Sequence, residues 1–241
     1  MHTVYGIRAV LESIQAGKTV ERILIKKGTK GDLVTELIDL SKKSGVHFTH
    51  VHPDRFLKFK NKNHQGVVAY VSPIVYQELS EVVQQAFEKG EDPLILVCDG
   101  ITDVRNFGAI ARSAHCFGVH GIVVPMKGGA AINADALKTS AGALNSIPVC
   151  KEDRIVNTIN YLKKTGLTIV AATEKARIEI AEVDCKQPLA IVMGDEAEGI
   201  SEQVLKLCDH KAAIPMVGEI ASLNVSVSAG VMLYEVMKQR K

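Results

Sequence analysis

The apolar positions of the first 75 residues change period several times. Between residues 6 and 16 they fall at Ile7, Val10, Leu11 and Ile14, the spacing of one helical face, and Gly17 is placed to end that helix. Residues 22–26 (RILIK) form a compact β-type run, Leu33, Leu37, Ile38 and Leu40 set a second helical stripe over 33–43, and 46–51 and 66–71 alternate as strands do. These elements predict a small α/β unit over residues 1–75. Residues 76–89 have the pattern of a polar amphipathic helix and 90–93 (GEDP) carry turn residues, so 76–93 is assigned as a linker.

From residue 94 the pattern is different. Continuous apolar runs at 94–98, 121–124, 167–172, 189–193 and 212–214 lack alternation, as strands buried on both faces do. Helical patterns at 109–116, 134–143, 155–164 and 201–207 lie between them. Strands and helices in alternation predict a second α/β domain over 94–241, a parallel sheet covered on both faces with its ligand site at the carboxyl ends of the strands.

Composition narrows the class of protein. A chain of 241 residues with 46% hydrophobic and 23% charged positions excludes extended disorder. No apolar run approaches the roughly 18 residues of a membrane span, and the opening MHTVYGIRAVLES has no signal-peptide pattern, so a cytoplasmic protein without a membrane partner is expected. The five cysteines form no CxxC pair, which speaks against a disulfide framework and a zinc site; they are read as reduced core residues, and no metal is expected.

The formal net charge of +2 hides an asymmetry. Residues 1–75 carry 12 Lys and Arg against 6 Asp and Glu, whereas residues 76–241 carry 17 against 21. Within the basic part, Arg55, Lys58, Lys60 and Lys62 alternate with Phe56 and Phe59 and lead into Asn61, Asn63 and His64. Two readings are open: cations and aromatics that neutralise phosphates and stack on RNA bases, or a solvated loop whose phenylalanines point inward.

Three polar, glycine-bearing loops follow strands of the second domain. The first runs from Asp99 through Asn106 to Arg112, the second reads MGDEAEGIS from Met193, and the third runs from Ile214 through Ser222, Asn224, Ser226 and Ser228 to Gly230. Each has a bland alternative: a helix cap for Arg112, turn roles for the glycines, close helix packing for the serines, a solvated Glu198. Neither GxGxxG nor GxxxxGK[ST] is present, so an ordinary dinucleotide or nucleoside triphosphate is poorly supported. Loops of Gly, Ile, Pro and Leu suit an adenosine held by backbone atoms.

In this order, NxxxxxR, MGDEAEGIS and IPMxGxxxSLNVSVSAG closely resemble the three motifs of the SpoU/TrmH ribose 2′-O-methyltransferases of the SPOUT superfamily, over about 94–241. YGIRAVLE and NHQGVVAYV likewise resemble that family's RNA-binding accessory domain, and the two-domain layout resembles the members that methylate a guanosine ribose in 23S rRNA. The resemblance implies a deep trefoil knot in the C-terminal domain, S-adenosylmethionine as cofactor, 23S rRNA as partner and a homodimer whose site lies close to the partner subunit. It assigns Thr173, Gly194, Glu196, Gly199, Ile214, Met216 and Leu223 to the cofactor, and Asn106, Arg112, Glu198, Ser222 and Asn224 to catalysis. Arg55, Lys58, Lys60, Lys62 and His64 would bind RNA. Ser228 stands where an alanine is common in the family, a departure expected to be without consequence.

A ribose hydroxyl is a poor nucleophile and a sulfonium methyl is already activated, so such an enzyme mainly needs in-line placement and help with one proton. The family assigns the base to the equivalent of Arg112, but a guanidinium keeps its proton at ordinary pH and suits bidentate phosphate contacts better. Three other functions fit less of the sequence: a tRNA methyltransferase of the same family, a non-catalytic rRNA-binding protein, and a nucleotide-using α/β enzyme of another class.

Overall fold

The computed structural model describes residues 2–219 and 222–241; Ile220 and Ala221, inside the third motif, lie outside the described residues. The chain divides into two compact units, 1–75 with 132–134, and 76–131 with 135–241. The first contains β1 (His2–Tyr5), α1 (Ile7–Gln15), β2 (Val20–Lys26), α2 (Asp32–Lys43), β3 (Phe48–Val51), a 3₁₀ turn over Pro53–Phe59, and β4 (Val67–Val71). Its sheet has the order β1-β4-β2-β3, with β4 antiparallel to β1 and β2 and β3 parallel to β2.

The strand period of two explains how this sheet is covered. Val67, Ala69 and Val71 of β4 pack with Val10, Leu11, Ile14, Val34 and Leu37 of α1 and α2. Val68 faces the other way, into a smaller cluster with Leu24, Phe56 and Phe59. The two phenylalanines of the basic segment are therefore core, and the stacking role considered for them is corrected: their rings close the second face of the sheet. On α2 Leu37 is buried and Ile38 and Leu40 pack partly buried beside it, as the stripe predicts, whereas Leu33 is exposed and Val34 takes its place in the core. The sequence pattern missed β1, whose four residues begin on a polar histidine.

The second unit contains α3 (Leu79–Glu88), β5 (Leu94–Asp99), α4 (Val104–Cys116), β6 (Gly121–Pro125), α5 (Ala134–Thr139), β7 (Val149–Glu152), α6 (Ile155–Lys164), β8 (Thr168–Ala172), β9 (Ile178–Glu179), β10 (Leu189–Gly194), α7 (Glu202–Leu205), β11 (His210–Ala213) and α8 (Val225–Arg240). Helix α3 is part of this unit's core: Leu79, Val82 and Val83 pack on Ile95, Val97 and Val123 of the sheet. Most of the segment assigned as a linker is thus structural, because an amphipathic helix needs a surface for its apolar stripe.

The described sheet has seven strands in the order β7-β6-β5-β10-β8-β11-β9, all parallel. Five had been expected. The additional two are the edges, β7 and the two-residue β9, too short and too polar to give a period. Leu189–Gly194 is buried throughout, as a central strand must be. Helices α3, α6 and α7 supply the apolar cluster on one face, while α4 and α8 pack on each other and α8 meets β10.

Of the cysteines, Cys98, Cys150 and Cys185 are buried, and burial pushes the Cys98 thiol up to about 12. Cys116 is exposed on α4, so the core reading does not hold for it. Among the described residues no helix is long and apolar enough to cross a membrane, and no cluster of three or more His, Cys, Asp or Glu has metal-binding geometry.

Candidate active site

Four adjacent parallel strands, β5, β10, β8 and β11, end at the same edge of the sheet, and the segments that follow them meet there. A pocket of 290 Å³ opens at this edge, at the lower end of the about 300–1,000 Å³ usual for small-molecule sites. All seven residues assigned to the cofactor line it: Thr173 after β8, Gly194, Glu196 and Gly199 at β10, and Ile214, Met216 and Leu223 after β11. Ser222 and Asn224 line it as well.

The loop after β10 is built from its own side chains. The Asp195 Oδ1 accepts the N–H groups of Ala197 and Glu198 at 2.8 and 3.2 Å, and Asp195 and Gly199 exchange backbone hydrogen bonds at 3.1 and 2.9 Å. Gly199 has φ of 73°, which L side chains rarely adopt. The loop folds back so closely that a Cβ on Gly194 would collide with the backbone of Gly199 and Ile200. The demand for glycine at 194 therefore comes from the protein's own chain, whereas the motif had suggested a demand from the ligand. Asp99, at the end of β5, accepts the Ser201 N–H at 2.8 Å and anchors the far side of the loop.

Across the mouth runs a short polar network. Asp103 caps α4 by accepting the Asn106 N–H at 2.7 Å, which places Asn106 in the first turn. Its Nδ2 donates to Glu196 Oε1 at 2.6 Å. Asn224, the N-cap of α8, accepts the N–H and hydroxyl of Ser226 through Oδ1 at 2.9 and 2.6 Å. Its Nδ2 donates to Glu196 Oε1 at 2.9 Å and to Asn106 Oδ1 at 3.1 Å. Both ends of the Asn224 amide are engaged, so its orientation is fixed by the network. Residues 118 positions apart are thereby joined through one carboxylate.

Two of the residues assigned to catalysis neither line the pocket nor join this network. Glu198 is exposed, and the carboxylate that Asn106 and Asn224 contact is that of Glu196. Arg112 is exposed on α4; six residues from Asn106 it sits about 120° around the helix and does not line the pocket of its own chain. Conversely, the pocket includes residues to which the sequence assigned no role: Glu174, Met193, Asp195, Met232 and Ser228. Ser228 follows Asn224 by one helical turn and lines the same pocket.

The lining has a chemical character. Ala172, Met193, Ile214, Met216, Leu223, Val225 and Met232 offer apolar surface, and Glu174, Asp195 and Glu196 bring three carboxylates, with no Lys or Arg. Such a pocket favours a ligand with an aromatic part and positive charge, which fits the adenine and cationic sulfonium of S-adenosylmethionine.

Residues 93–234 match the SpoU rRNA methylase family, and residues 3–77 match the domain described as RNA 2′-O ribose methyltransferase substrate binding. The chain belongs to the SpoU/TrmH family of RNA methyltransferases. Two TrmH-family tRNA/rRNA methyltransferases, from Staphylococcus saprophyticus and Bacillus subtilis, are 36% and 33% identical to it, each over 98% of this chain and 95% of the relative. The SpoU methyltransferase AviRb of Streptomyces viridochromogenes, solved in complex with AdoMet, aligns with a TM-score of 0.63 at 25% identity, over 99% of this chain and 90% of that one. The carboxyl-edge pocket lies wholly within the part that matches the methylase family.

In the first unit, Arg55, Lys58, Lys60 and Lys62 are all exposed. Lys58 donates to the Tyr70 hydroxyl at 3.3 Å and stands 4.8 Å from the Phe59 ring centroid; Lys62 lies 6.0 Å from that of Tyr5. His64 is half-buried, its Nδ1 accepting the Gly66 N–H at 2.9 Å and its ring packed 4.8 Å from Phe56. That histidine holds a turn. The aromatic rings beside the cations are those of the half-buried Tyr5 and Tyr70, on β1 and β4.

Proposed function

We propose that the protein transfers the methyl group of S-adenosylmethionine to the 2′-oxygen of a guanosine ribose in 23S rRNA, acting as a homodimer in the cytoplasm. The observation that carries this is the pocket at the carboxyl edge, in which every residue assigned to the cofactor converges on an apolar, carboxylate-bearing cavity. When bound, the cofactor supplies an activated methyl group. Ile214, Met216 and Leu223 would hold its adenosine, and Glu174, Asp195 and Glu196 its positive charge. Asn106 and Asn224, locked through Glu196, would orient the nucleotide at the mouth.

Arg112 has a distinct role in this reading. Its exposure outside its own pocket supports service to the partner subunit, where a guanidinium would grip the phosphate beside the target ribose and orient the hydroxyl. Helix α8 supports the dimer. Val225, Met232 and Val236 are buried within the subunit, but Val227 and Tyr234 are about half exposed at 50% and 52%, and Val231, one turn after Val227, is exposed as well. Insertion of β10 between β5 and β8 supports the threaded, knotted connection.

The test incubates the protein and methyl-labelled S-adenosylmethionine with 23S rRNA and with tRNA, followed by nucleoside mass spectrometry. Label in 2′-O-methylguanosine from 23S rRNA is the expected result. Label on a base, or in tRNA alone, overturns the substrate assignment; absence of cofactor binding in calorimetry overturns the enzyme.

A further inference from the structure

A second cavity, of 450 Å³, opens in the second unit between the segment after β8 and the start of β11. Lys175, Arg177, His210 and Lys211 line it, and all four are exposed. None of the three permanent cations has an ion pair among the described residues. The one carboxylate in the lining, Asp209, is committed elsewhere: Lys163 donates to it at 2.6 Å and the Ile169 N–H at 2.9 Å. Burial alone would raise that carboxyl, but these two contacts outweigh it and hold it below its ordinary range. Glu179 and Glu182, just beyond the groove in the chain, each hold the other's backbone in a capping box. The lining thus has three permanent cations against one carboxylate that is already paired, in a part of the chain where acidic residues outnumber basic ones by 21 to 17.

Its position adds a second argument. Ala172, Thr173 and Glu174 line the pocket at the carboxyl edge, and the next four residues, 175–178, line the groove. One stretch of chain is the wall of both. An anionic polymer seated in the groove would run toward the pocket.

We propose that this groove binds the sugar–phosphate backbone of RNA flanking the nucleotide to be methylated, through Lys175, Arg177 and Lys211, as a phosphate site separate from the basic segment of the first unit. The proposal rests on the reading of the substrate as RNA. Long cationic side chains on an open groove suit a strand of evenly spaced phosphates and are sequence-independent in what they contact.

The experiment compares the full-length protein with the Lys175→Gln, Arg177→Gln, Lys211→Gln triple variant. A charge-matched control carries Lys89→Gln, Lys164→Gln and Lys186→Gln, all exposed positions outside the groove. Binding of a single-stranded oligouridylate is measured across a salt series, with S-adenosylmethionine affinity measured in parallel. Three lost phosphate contacts should flatten the log–log salt slope by about 2, at roughly 0.7 per contact, with cofactor affinity unchanged and the control close to the unaltered protein. An unchanged slope, or an equal loss in the control, overturns the proposal. So does a triple variant that loses binding of polyglutamate while keeping that of RNA, which would assign the groove to an acidic protein. If the slope flattens but the unaltered protein methylates no RNA, the groove stands and the proposed reaction falls.

Discussion

The polar groups of the carboxyl-edge pocket hold one another, and those of the basic segment do not. Asn106, Glu196 and Asn224 share hydrogen bonds of 2.6 to 3.1 Å, and each is fixed by a helix start or a folded-back loop. Arg55 and Lys60 stand in solvent with no side-chain partner among the described residues, above a floor of phenylalanine. The first arrangement is preorganised and suits one small ligand in one pose, where misplacement by an ångström is costly. The second suits a polyanion, because each exposed cation adds its contact almost independently and salt weakens them all. Variants in the two regions should therefore differ in kind: cooperative losses in the pocket, additive ones on the basic surface, and loss of folding where the floor itself is cut.

The largest effect is expected at that floor. Phe56→Ala removes a ring that is 3% exposed and should cost about 3–5 kcal/mol of stability in the first unit. Hydrogen exchange of the β4 amides in the full chain would report it as a loss of protection, with the β10 amides unaffected. Retained protection would mean that the ring is not core, and would restore it as a candidate for stacking on bases.

Arg112→Ala comes next. Turnover should fall at least about 100-fold, with cofactor affinity and melting temperature nearly unchanged because the side chain is exposed. Mixing this variant with a Gly194→Val variant tests the shared site: if Arg112 serves the partner, heterodimers regain active sites. No recovery in verified heterodimers would return Arg112 to its own subunit. Gly194→Val should also lower the melting temperature without cofactor, since its side chain meets backbone.

Neutralising Arg55, Lys58, Lys60 and Lys62 together should leave folding and cofactor binding intact and flatten the salt slope for single-stranded RNA by up to about 3. An unchanged slope would move RNA binding away from this segment altogether.

What was legible from sequence follows from which constraint each signal carries. Glycine-bearing loops after buried runs located the pocket because parallel strands must deliver their ends to one edge; Gly194 and Ile214 had nowhere else to go. The alternation of cations and phenylalanines over 55–62 carries no such constraint, since a chain of that composition satisfies the same pattern with its rings inward, and Val68 and Leu24 provided an apolar surface to cover. The distinction between Glu196 and Glu198 was also invisible. It depends on the Asp195 turn, which points the two carboxylates differently, and that turn closes only once Gly199 takes a positive φ. Edge strands β7 and β9 escaped because runs of four and two residues leave no period to read.

The smallest effect is the most discriminating within the pocket. Asn224 does two things at once: its Oδ1 caps α8, and its Nδ2 ties Glu196 to Asn106. Asn224→Ala removes both and should cost about 1 kcal/mol of stability, the usual loss for a cap. Asn224→Ser restores an oxygen that can accept the Ser226 N–H, so its stability should stay within a few tenths of a kcal/mol of the original. Its shorter side chain offers no amide to Glu196. Thermal melts should therefore separate the two variants, whereas methyl transfer should fall in both by a similar factor. Activity that instead follows the melting temperature, nearly normal in Ser and reduced in Ala, would mean that Asn224 serves only as a cap and that Asn106 and Glu196 are sufficient without the link.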